Sequence, residues 1–371
     1  MPDRKQPECA LSPYGSMTGL TRLRHVIETS CKRADPGAIP PERDHFIINE
    51  QGICMLLPRR HFLRSAALTG LAAGTIGLSA RAHAVAPQRP AMLAHDDFSF
   101  LFLTDTHIQP ELEASKGCLD CFRQARTAKA DFTIQGGDHV FDALGVPKSR
   151  AMSLMDLYKQ TAETLGHQVY NTIGNHDCLG IYTKSGIEPT DPLYGKKYYT
   201  DNFGAPYYSF DHKGVHFVVL DSIGITPDRA YEGFIDPVQL AWLDHDLASI
   251  PAGMPVIVST HIPLVTAVED YAPPPGKPPA HQGTRIRNAY QVLDLFDRYN
   301  VIGVFQGHTH VYETVTWHGV PYITGGAVSG NWWHGTRLGT AEGYLNVRVE
   351  KGRVIPEYVT YGFKTIDPKN T

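Results

Sequence analysis

The residues best suited to chemistry lie at the ends of five short hydrophobic runs. Each run is rich in β-branched and aromatic residues and closes in a turn with glycine or threonine, which is typical of a buried strand that leads into a loop. The turns are residues 104–107, 136–138, 174–177, 260–261 and 307–310. Because working sites of open α/β sheets lie outside the carboxyl ends of their strands, we expect these turns to meet. Carboxylates, imidazoles and one amide at a common edge predict a metal site.

The side chains in these turns suit first-row transition metals. Imidazole nitrogens together with carboxylate and amide oxygens favour iron, manganese, zinc or cobalt over magnesium or calcium. A carboxylate on a glycine-flanked turn, such as Asp138, can bridge two cations. Two divalent ions roughly 3.5–4 Å apart can hold a bridging hydroxide and neutralise a phosphoryl group during in-line displacement. Such a centre needs no serine or cysteine nucleophile.

In this order, the five turns resemble the signature of the calcineurin-like metallophosphoesterases. The resemblance covers most of the predicted catalytic domain, residues 94–364, and it is specific because the blocks occur as an ordered set. It implies an α/β fold, a four-layer α/β/β/α sandwich with two metals (manganese, iron or zinc) at the strand ends. The implied ligands are Asp105, His107 and His310 for one metal, Asn175, His261 and His308 for the other, and Asp138 as the bridge.

The same resemblance gives roles to two further residues of the 174–177 turn. His176 matches the histidine that does not bind metal and that hydrogen-bonds the phosphate or protonates the leaving oxygen. Asp177 is expected to orient His176. His139, directly after Asp138, is a candidate for the pocket lining, and a core or surface position is its alternative.

A later loop, residues 324–334, is expected to shape specificity. Its candidate substrate contacts are Asn331, Trp332, Trp333 and His334. Paired tryptophans in a Gly/Ser-rich loop can stack on a nucleobase, sugar or aryl group, or they can cap the edge of the core. Tyr182 is a further candidate contact, and Tyr194 and the proline-rich residues 273–279 are candidates for closing the pocket.

The resemblance implies hydrolysis of a phosphoester by a metal-bridging hydroxide, with phosphodiesters ahead of phosphomonoesters. The chain looks like exported relatives of class III cyclic-nucleotide phosphodiesterases. Purple acid phosphatases, which are related, carry a tyrosine ligand three residues after the bridging aspartate, where this chain has Phe141, so an iron–tyrosinate site is disfavoured. The alternatives are a phosphomonoesterase, a protein phosphatase and a non-catalytic binding protein. The lack of a paired-arginine clamp disfavours a protein phosphatase, and the intact ligand set disfavours a non-catalytic protein.

Hydrophobic patterning predicts the elements that must position these turns. Besides the strands before the turns, strands are predicted at residues 207–211, 215–220, 314–317, 322–324, 345–350 and 354–361. Helices are predicted at residues 116–129, 149–165 and 284–299. A further helix is expected to begin at Pro237, with Asp236 as its cap. Residues 178–206, rich in tyrosine and glycine, are expected to form a flap over the site.

Composition favours a folded enzyme over a nucleic-acid-binding protein. Of 371 residues, 42% are hydrophobic, which is ample for a packed core, and the formal net charge is -4. The sequence has no long basic run, which argues against a nucleic-acid-binding surface. Cys118 and Cys121 have the spacing of a redox or zinc pair, but no second pair completes a zinc site, so we interpret them and Cys178 as buried thiols.

Residues 55–84 look like a twin-arginine export signal. Arg59 and Arg60 introduce an apolar segment at residues 65–78, and residues 82–84 form an Ala-x-Ala cleavage site. The apolar segment is shorter than the roughly 20 residues of a membrane span. We expect export by the twin-arginine machinery to the periplasm or beyond, a small phosphoester as substrate, and no membrane span in the mature protein. Because Met55 opens the signal, residues 1–54 are interpreted as an over-extended or disordered N-terminus without a clear element.

Overall fold

The structure, a computed structural model, describes residues 45–48, 54–57, 89–272 and 281–369. The chain divides into two units, Met1–His83 and Ala84–Thr371. In the first unit, β1 (His45–Ile48) pairs antiparallel with β2 (Cys54–Leu57). Strand β1 lies within residues 1–54, where the sequence shows no clear element. The twin-arginine motif, the cleavage site and residues 273–279 lie outside the described residues.

Two mixed sheets form the body of the second unit. Its strands are, in chain order, β3 (Phe98–Leu103), β4 (Phe132–Gln135), β5 (Val169–Asn171), β6 (Tyr208–His212), β7 (Val215–Leu220), β8 (Ile223–Ile225), β9 (Tyr231–Gly233), β10 (Pro255–Thr260), β11 (Asn300–Gln306), β12 (Tyr312–Trp317), β13 (Val320–Gly325), β14 (Gly343–Glu350) and β15 (Arg353–Thr360). One sheet has the order β15-β14-β3-β4-β5 and the other the order β12-β13-β11-β10-β7-β6, while β8 and β9 pair with each other. Within the sheets, β3, β4 and β5 run parallel, as do β7, β10, β11 and β13.

Helices connect and cover these strands. In chain order they are α1 (Ala114–Arg126), α2 (Lys148–Ala162), α3 (Lys197–Phe203), α4 (Pro237–Ser249), α5 (Val268–Tyr271), α6 (His281–Thr284) and α7 (Ala289–Phe296). The predicted start of α4 is confirmed, because the Asp236 carboxylate accepts hydrogen bonds from the backbone of Val238 and Gln239, and Pro237 takes the first helical position. Short 3-10 turns include Asn175–Asp177, within the site described below.

Alternation along β3 gives its sheet two apolar faces. Phe98, Phe100 and Phe102 pack into a cluster that also holds residues of the other sheet. Leu101 and Leu103 pack instead with residues of α1 and α2. Because successive side chains of a strand point to opposite faces, this one hexapeptide contributes to two separate cores.

The second sheet repeats this arrangement. Ile257 of β10 lies in the cluster between the sheets, whereas Val256 and Val258 pack with residues of α4 and α7. Helices therefore cover the outer face of each sheet, and the two inner faces pack on each other. The predicted α/β fold is confirmed, and this packing order agrees with the predicted four layers.

One predicted helix is divided. Residues 284–299 form the end of α6, an irregular segment and α7, because backbone hydrogen bonds of the segment go to other parts of the fold. The amide of Ile286 donates to the carbonyl of Pro263 and the amide of Arg287 to the carbonyl of Gly233, each at 2.8 Å. Those two amides cannot take part in a helix.

The predicted flap contributes in part to the core. Leu179, Ile181 and Tyr199 are fully buried, and the segment contains α3. The interpretation of the cysteines is confirmed, since Cys118, Cys121 and Cys178 are free and buried, and burial raises the pKa of each thiol. In the part of the chain that the structure describes, no helix has the length and apolar character to span a membrane.

Candidate metal centre

The five turns follow β3, β4, β5, β10 and β11, which contribute parallel strand ends to the two sheets. Hydrogen bonds connect the turns across the two sheets. The backbone amide of His308 donates to both carboxylate oxygens of Asp105, at 3.1 and 3.0 Å. Nδ1 of His261 lies 2.8 Å from the carbonyl oxygen of Gly136. The structure thus brings the turns together at one edge.

Three predicted ligands form the first group. Oδ1 of Asp105 lies 3.3 Å from Nε2 of His310 and 3.8 Å from Nε2 of His107. The two Nε2 atoms are 3.0 Å apart. All three side chains are buried. Ligand atoms bound at about 2.1 Å to a common ion lie roughly 3–4 Å apart, so this group fits a metal.

The second group is centred on Asp138. Its Oδ2 lies 3.2 Å from Nε2 of His261, which is 3.2 Å from Oδ1 of Asn175. His308 offers a nitrogen to the same cluster. The same Oδ2 of Asp138 is also 3.5 Å from Nε2 of His107, in the first group. Asp138 is therefore placed to serve both groups, as its predicted bridging role requires.

Backbone carbonyls fix the tautomers of three histidines in the site. Each carbonyl accepts from an Nδ1–H and leaves Nε2 directed elsewhere. The pairs are His261 with Gly136 at 2.8 Å, His310 with Gly330 at 2.5 Å and His176 with Phe141 at 2.5 Å. In His261 and His310, Nε2 faces the ligand groups described above.

Burial and charge act in opposite directions on the titratable ligands. Burial lowers the pKa of His107 to about 4 and that of His308 to about 3, so both are neutral at pH 7. Burial alone would lower the pKa of His261 too, but the carboxylates of Asp138 and Asp105 raise it to about 9. Burial alone would raise the pKa values of these two carboxyl groups, and the neighbouring histidines hold both below their usual range. A metal ion would replace the proton on His261.

Five of the predicted ligands have left-handed backbone conformations. The φ angles are 54° at Asp105, 40° at His107, 54° at Asp138, 72° at His308 and 61° at His310. Residues with a Cβ seldom adopt this region, and such strain concentrates at functional sites. The turns therefore have unfavourable local conformations that the surrounding fold imposes.

The predicted pairing of Asp177 with His176 is wrong. The Asp177 carboxylate accepts from the backbone amides of Gly174, Asp138 and His139 at 2.9–3.1 Å and pairs with Nδ1 of His139 at 2.8 Å. These bonds arise because the 3-10 turn directs Asp177 back towards the loop after β4. Asp177 thus ties the two loops together, while the Phe141 carbonyl orients His176.

His139 lies behind the site, not in its lining. Its Nε2 is 3.0 Å from Oδ1 of Asn171, and its ring stacks on Phe203 with centroids 4.7 Å apart. The side chain is fully buried. Its bonds to Asn171 and Asp177 link the ends of β4 and β5 below the ligands.

Not all candidate substrate contacts of the loop at residues 324–334 lie at the candidate metal centre. Trp333 is fully buried and donates its Nε1–H to the carbonyl of His107 at 2.9 Å, so its predicted substrate contact is wrong. The His334 ring is directed towards Asp367 and Lys369, away from the ligands, and its predicted contact is also wrong. Asn331 is buried, 3% exposed.

Trp332 and Tyr182 do lie near the ligand groups. The Trp332 ring is 4.2 Å from that of His310 and 6.0 Å from that of His107, centroid to centroid, and it is partly exposed. Tyr182 is partly exposed, and burial together with the charges of Asp142 and Asp138 raises its pKa. Tyr194, the other candidate for closing the pocket, packs against both helix-covered cores.

Two residues near the site were not predicted. Tyr231 of β9 has its ring 6.0 Å from that of His308. Arg337 lies with its guanidinium carbon 5.6 Å from the centre of the Trp332 ring. No motif in the sequence marks either residue. Tyr231 lies in β9, which was not predicted, and Arg337 lies after the predicted loop. Their positions depend on tertiary structure.

Comparison with known proteins places the chain in a family. Residues 98–312, more than half of the chain, match the calcineurin-like phosphoesterase family, and the chain belongs to it. Together with the groups of side chains able to bind metal, this membership confirms the predicted enzyme class, a hydrolase that acts on phosphoesters.

Named relatives lie at low identity. A probable cyclic nucleotide phosphodiesterase of Rhodococcus erythropolis is 28% identical over 229 residues, which are 59% of this chain and 67% of that protein. Purple acid phosphatase 23 of Arabidopsis thaliana is 30% identical over 152 residues, 38% of this chain and only 28% of that protein. A dimetal phosphatase from Danio rerio has a similar fold, with a TM-score of 0.50 and 16% identity over 71% of this chain and 99% of that one.

Proposed function

We propose that the protein is a dinuclear metal-dependent phosphoesterase that favours phosphodiesters. The observation that carries the proposal is the pair of buried ligand groups that meet at Asp138, whose Oδ2 lies 3.2 Å from His261 and 3.5 Å from His107. Bound ions in these groups would lower the pKa of a water molecule and neutralise the phosphoryl oxygens during displacement. The mixed nitrogen and oxygen ligands favour manganese, iron or zinc.

His176 is the proposed general acid. It is only partly buried, its ring stands perpendicular to that of His107 with centroids 4.6 Å apart, and its Nδ1 is held by the Phe141 carbonyl. When the ring is protonated on both nitrogens, the remaining nitrogen, Nε2, carries the proton that can be given to the leaving oxygen. The backbone amide of His176 donates to Oδ1 of Asp138 at 2.8 Å, which fixes the turn beside the bridging carboxylate.

Two observations support diesters over monoesters. The probable cyclic nucleotide phosphodiesterase, whose name describes a diester substrate, matches the chain over 67% of its own length, whereas the purple acid phosphatase matches over 28%. Phe141, three residues after Asp138, has no oxygen to bind a metal and lies edge-on to His107 at 6.4 Å between ring centroids. An iron–tyrosinate site of the purple type is therefore disfavoured.

The test is a metal-reconstitution assay. The purified full-length chain would be stripped of metal, reloaded with manganese, iron or zinc, and assayed on an aryl phosphodiester, an aryl phosphomonoester and a cyclic nucleotide. We expect turnover only after reloading, with a higher kcat/KM for the diesters. Asp138→Asn should weaken metal binding in both groups and abolish turnover. A higher kcat/KM for the monoester would reject the diester preference, and metal-independent turnover would reject the mechanism.

A further inference from the structure

Arg337 lies near the candidate metal centre and has no ion-pair partner among the residues that the structure describes. Its side chain is partly buried, and its Nε is inaccessible to solvent and has no hydrogen-bond partner among the described residues. In the same part of the chain, no carboxylate forms an ion pair with it. Its backbone is fixed, because Arg337 and Thr340 exchange two hydrogen bonds of 2.8 Å.

Trp332 connects Arg337 to the ligand histidines. The guanidinium carbon lies 5.6 Å from the centre of the Trp332 ring, within the range of a cation–π interaction. The same ring packs on His310 at 4.2 Å, with an interplanar angle of 34°. One side chain, that of Trp332, therefore lies between Arg337 and the first ligand group.

The loop that carries both residues is held firmly. The buried Trp333 donates its indole N–H to the carbonyl of His107, and its backbone amide bonds the carbonyl of Ser329 at 2.7 Å. Trp332 and Trp333 have left-handed φ angles of 48° and 73°. A loop with these constraints presents Trp332 and Arg337 in one arrangement.

An unpaired, partly buried guanidinium requires compensation. Burial lowers the pKa of Arg337 from its usual value, although arginine stays charged at neutral pH. Removing an N–H donor and its charge from water costs free energy unless an anion takes the place of the solvent. Among the described residues no such anion is bonded to it, and a bound anionic ligand would satisfy the buried Nε–H and the charge together.

We infer that Arg337 binds a second negatively charged group of the substrate, beyond the phosphorus that is hydrolysed, and that Trp332 positions it. This inference rests on the proposed function. The substrate class is a phosphoester whose organic part carries a carboxylate or a further phosphate. Arg337 would thus act on specificity, while the ligand groups and His176 act on the phosphoryl group.

The test compares two ligands that are not hydrolysed and that differ in one charge. Phenylphosphonate and 4-carboxyphenylphosphonate would be titrated calorimetrically into the metal-loaded, full-length protein. We expect the carboxylated ligand to bind about tenfold more tightly, the usual range for one charge-assisted hydrogen-bonded pair. In Arg337→Ala this preference should vanish, with the affinity for phenylphosphonate unchanged, and in Arg337→Lys part of it should return.

Two variants serve as controls. Arg348→Ala removes an arginine whose partner is Glu350 on the exposed part of β14, so it changes the net charge equally and should keep the preference. Trp332→Leu should reduce the preference without loss of bound metal, as expected of a positioning residue.

The outcomes separate this inference from the proposed function. Metal-dependent hydrolysis with equal affinities for the two ligands, or equal effects of Arg337→Ala and Arg348→Ala, would overturn the role of Arg337 alone. A loss of affinity for both ligands in Arg337→Ala would assign the guanidinium to the reacting phosphoryl group and also overturn the inference. Absence of metal-dependent hydrolysis would reject the proposed function, and the inference with it.

Discussion

At the scale of single residues, the site depends on which atom of each side chain is left free. Backbone carbonyls bind Nδ1 of His176, His261 and His310, so Nε2 is the reactive nitrogen in all three. Two of these nitrogens face the ligand groups. The third, on the partly exposed His176, is the one available to a substrate. The same kind of hydrogen bond therefore orients two predicted ligands and the proposed acid.

The role of His176 can be separated from that of the ligands by substitution. In His176→Ala we expect the metal content to be unchanged and kcat to fall roughly 100- to 10,000-fold, the usual contribution of general acid–base catalysis. The measurement is kcat on an aryl phosphodiester together with metal analysis of the same sample. His310→Ala is the matched control, since it should lose metal and activity together. Equal loss of metal in both variants would show that His176 binds metal and would contradict its role as the acid.

Residue types identified side chains that the structure brings together, but not their supporting contacts. The seven predicted metal ligands stood out because each lies in a short turn after a hydrophobic run, which is a local pattern. It assigned Asp177 to His176 and Trp333 to the substrate, where the structure gives Asp177 to His139 and Trp333 to the core. Those contacts depend on how distant loops pack, and neighbouring residue types do not contain that information.

At the scale of elements, each strand end must approach its neighbour closely enough for the ligands to share an ion. Gly174, after β5, has an ordinary φ of -105°, so left-handed geometry does not explain glycine there. A Cβ at this position would overlap the backbone nitrogen and Oδ1 of Asp138. The absence of a side chain lets the β4 and β5 turns come into contact.

Gly174→Ala should therefore disturb the metal centre. Since the Asp138 backbone would have to move, we expect weaker binding of metal and loss of most phosphoesterase activity, measured by metal analysis and assay. Gly186→Ala is the control, because a Cβ there meets nothing within 4 Å and the cost is confined to a left-handed φ of 71°. That variant should lose about 1 kcal/mol of stability and keep its metal. Similar metal binding by Gly174→Ala and the wild type would refute this account.

Strands formed by a buried apolar run were predictable, and two very short strands were not. Strands β4 and β7 begin and end where the sequence predicts, because their apolar residues decide their burial. The paired strands β8 and β9, of three residues each, were missed. The predicted helix at 284–299 is divided because two of its amides bond to residues 263 and 233, far away in the sequence.

At the scale of the whole molecule, we propose that residues 55–84 direct export and are removed. The proposal is supported by the Arg59–Arg60 pair, the short apolar segment and the small residues before Val85. Mass spectrometry of protein exported by a bacterial host should find Val85 at the N-terminus. Replacing both arginines with lysine should leave the precursor in the cytoplasm, whereas Arg81→Lys, outside the motif, should be exported normally. Export of the double-lysine variant would exclude this route.

The wide spacing of the ligands along the chain has a consequence for the order of events during synthesis. His107 and His310, whose ring nitrogens lie 3.0 Å apart, are separated by 203 residues. Contacts of such long sequence separation form late in folding, since the intervening chain must first close. A nascent chain thus has no complete candidate metal centre until the turn after β11 has left the ribosome, and metal binding would report that both sheets have assembled.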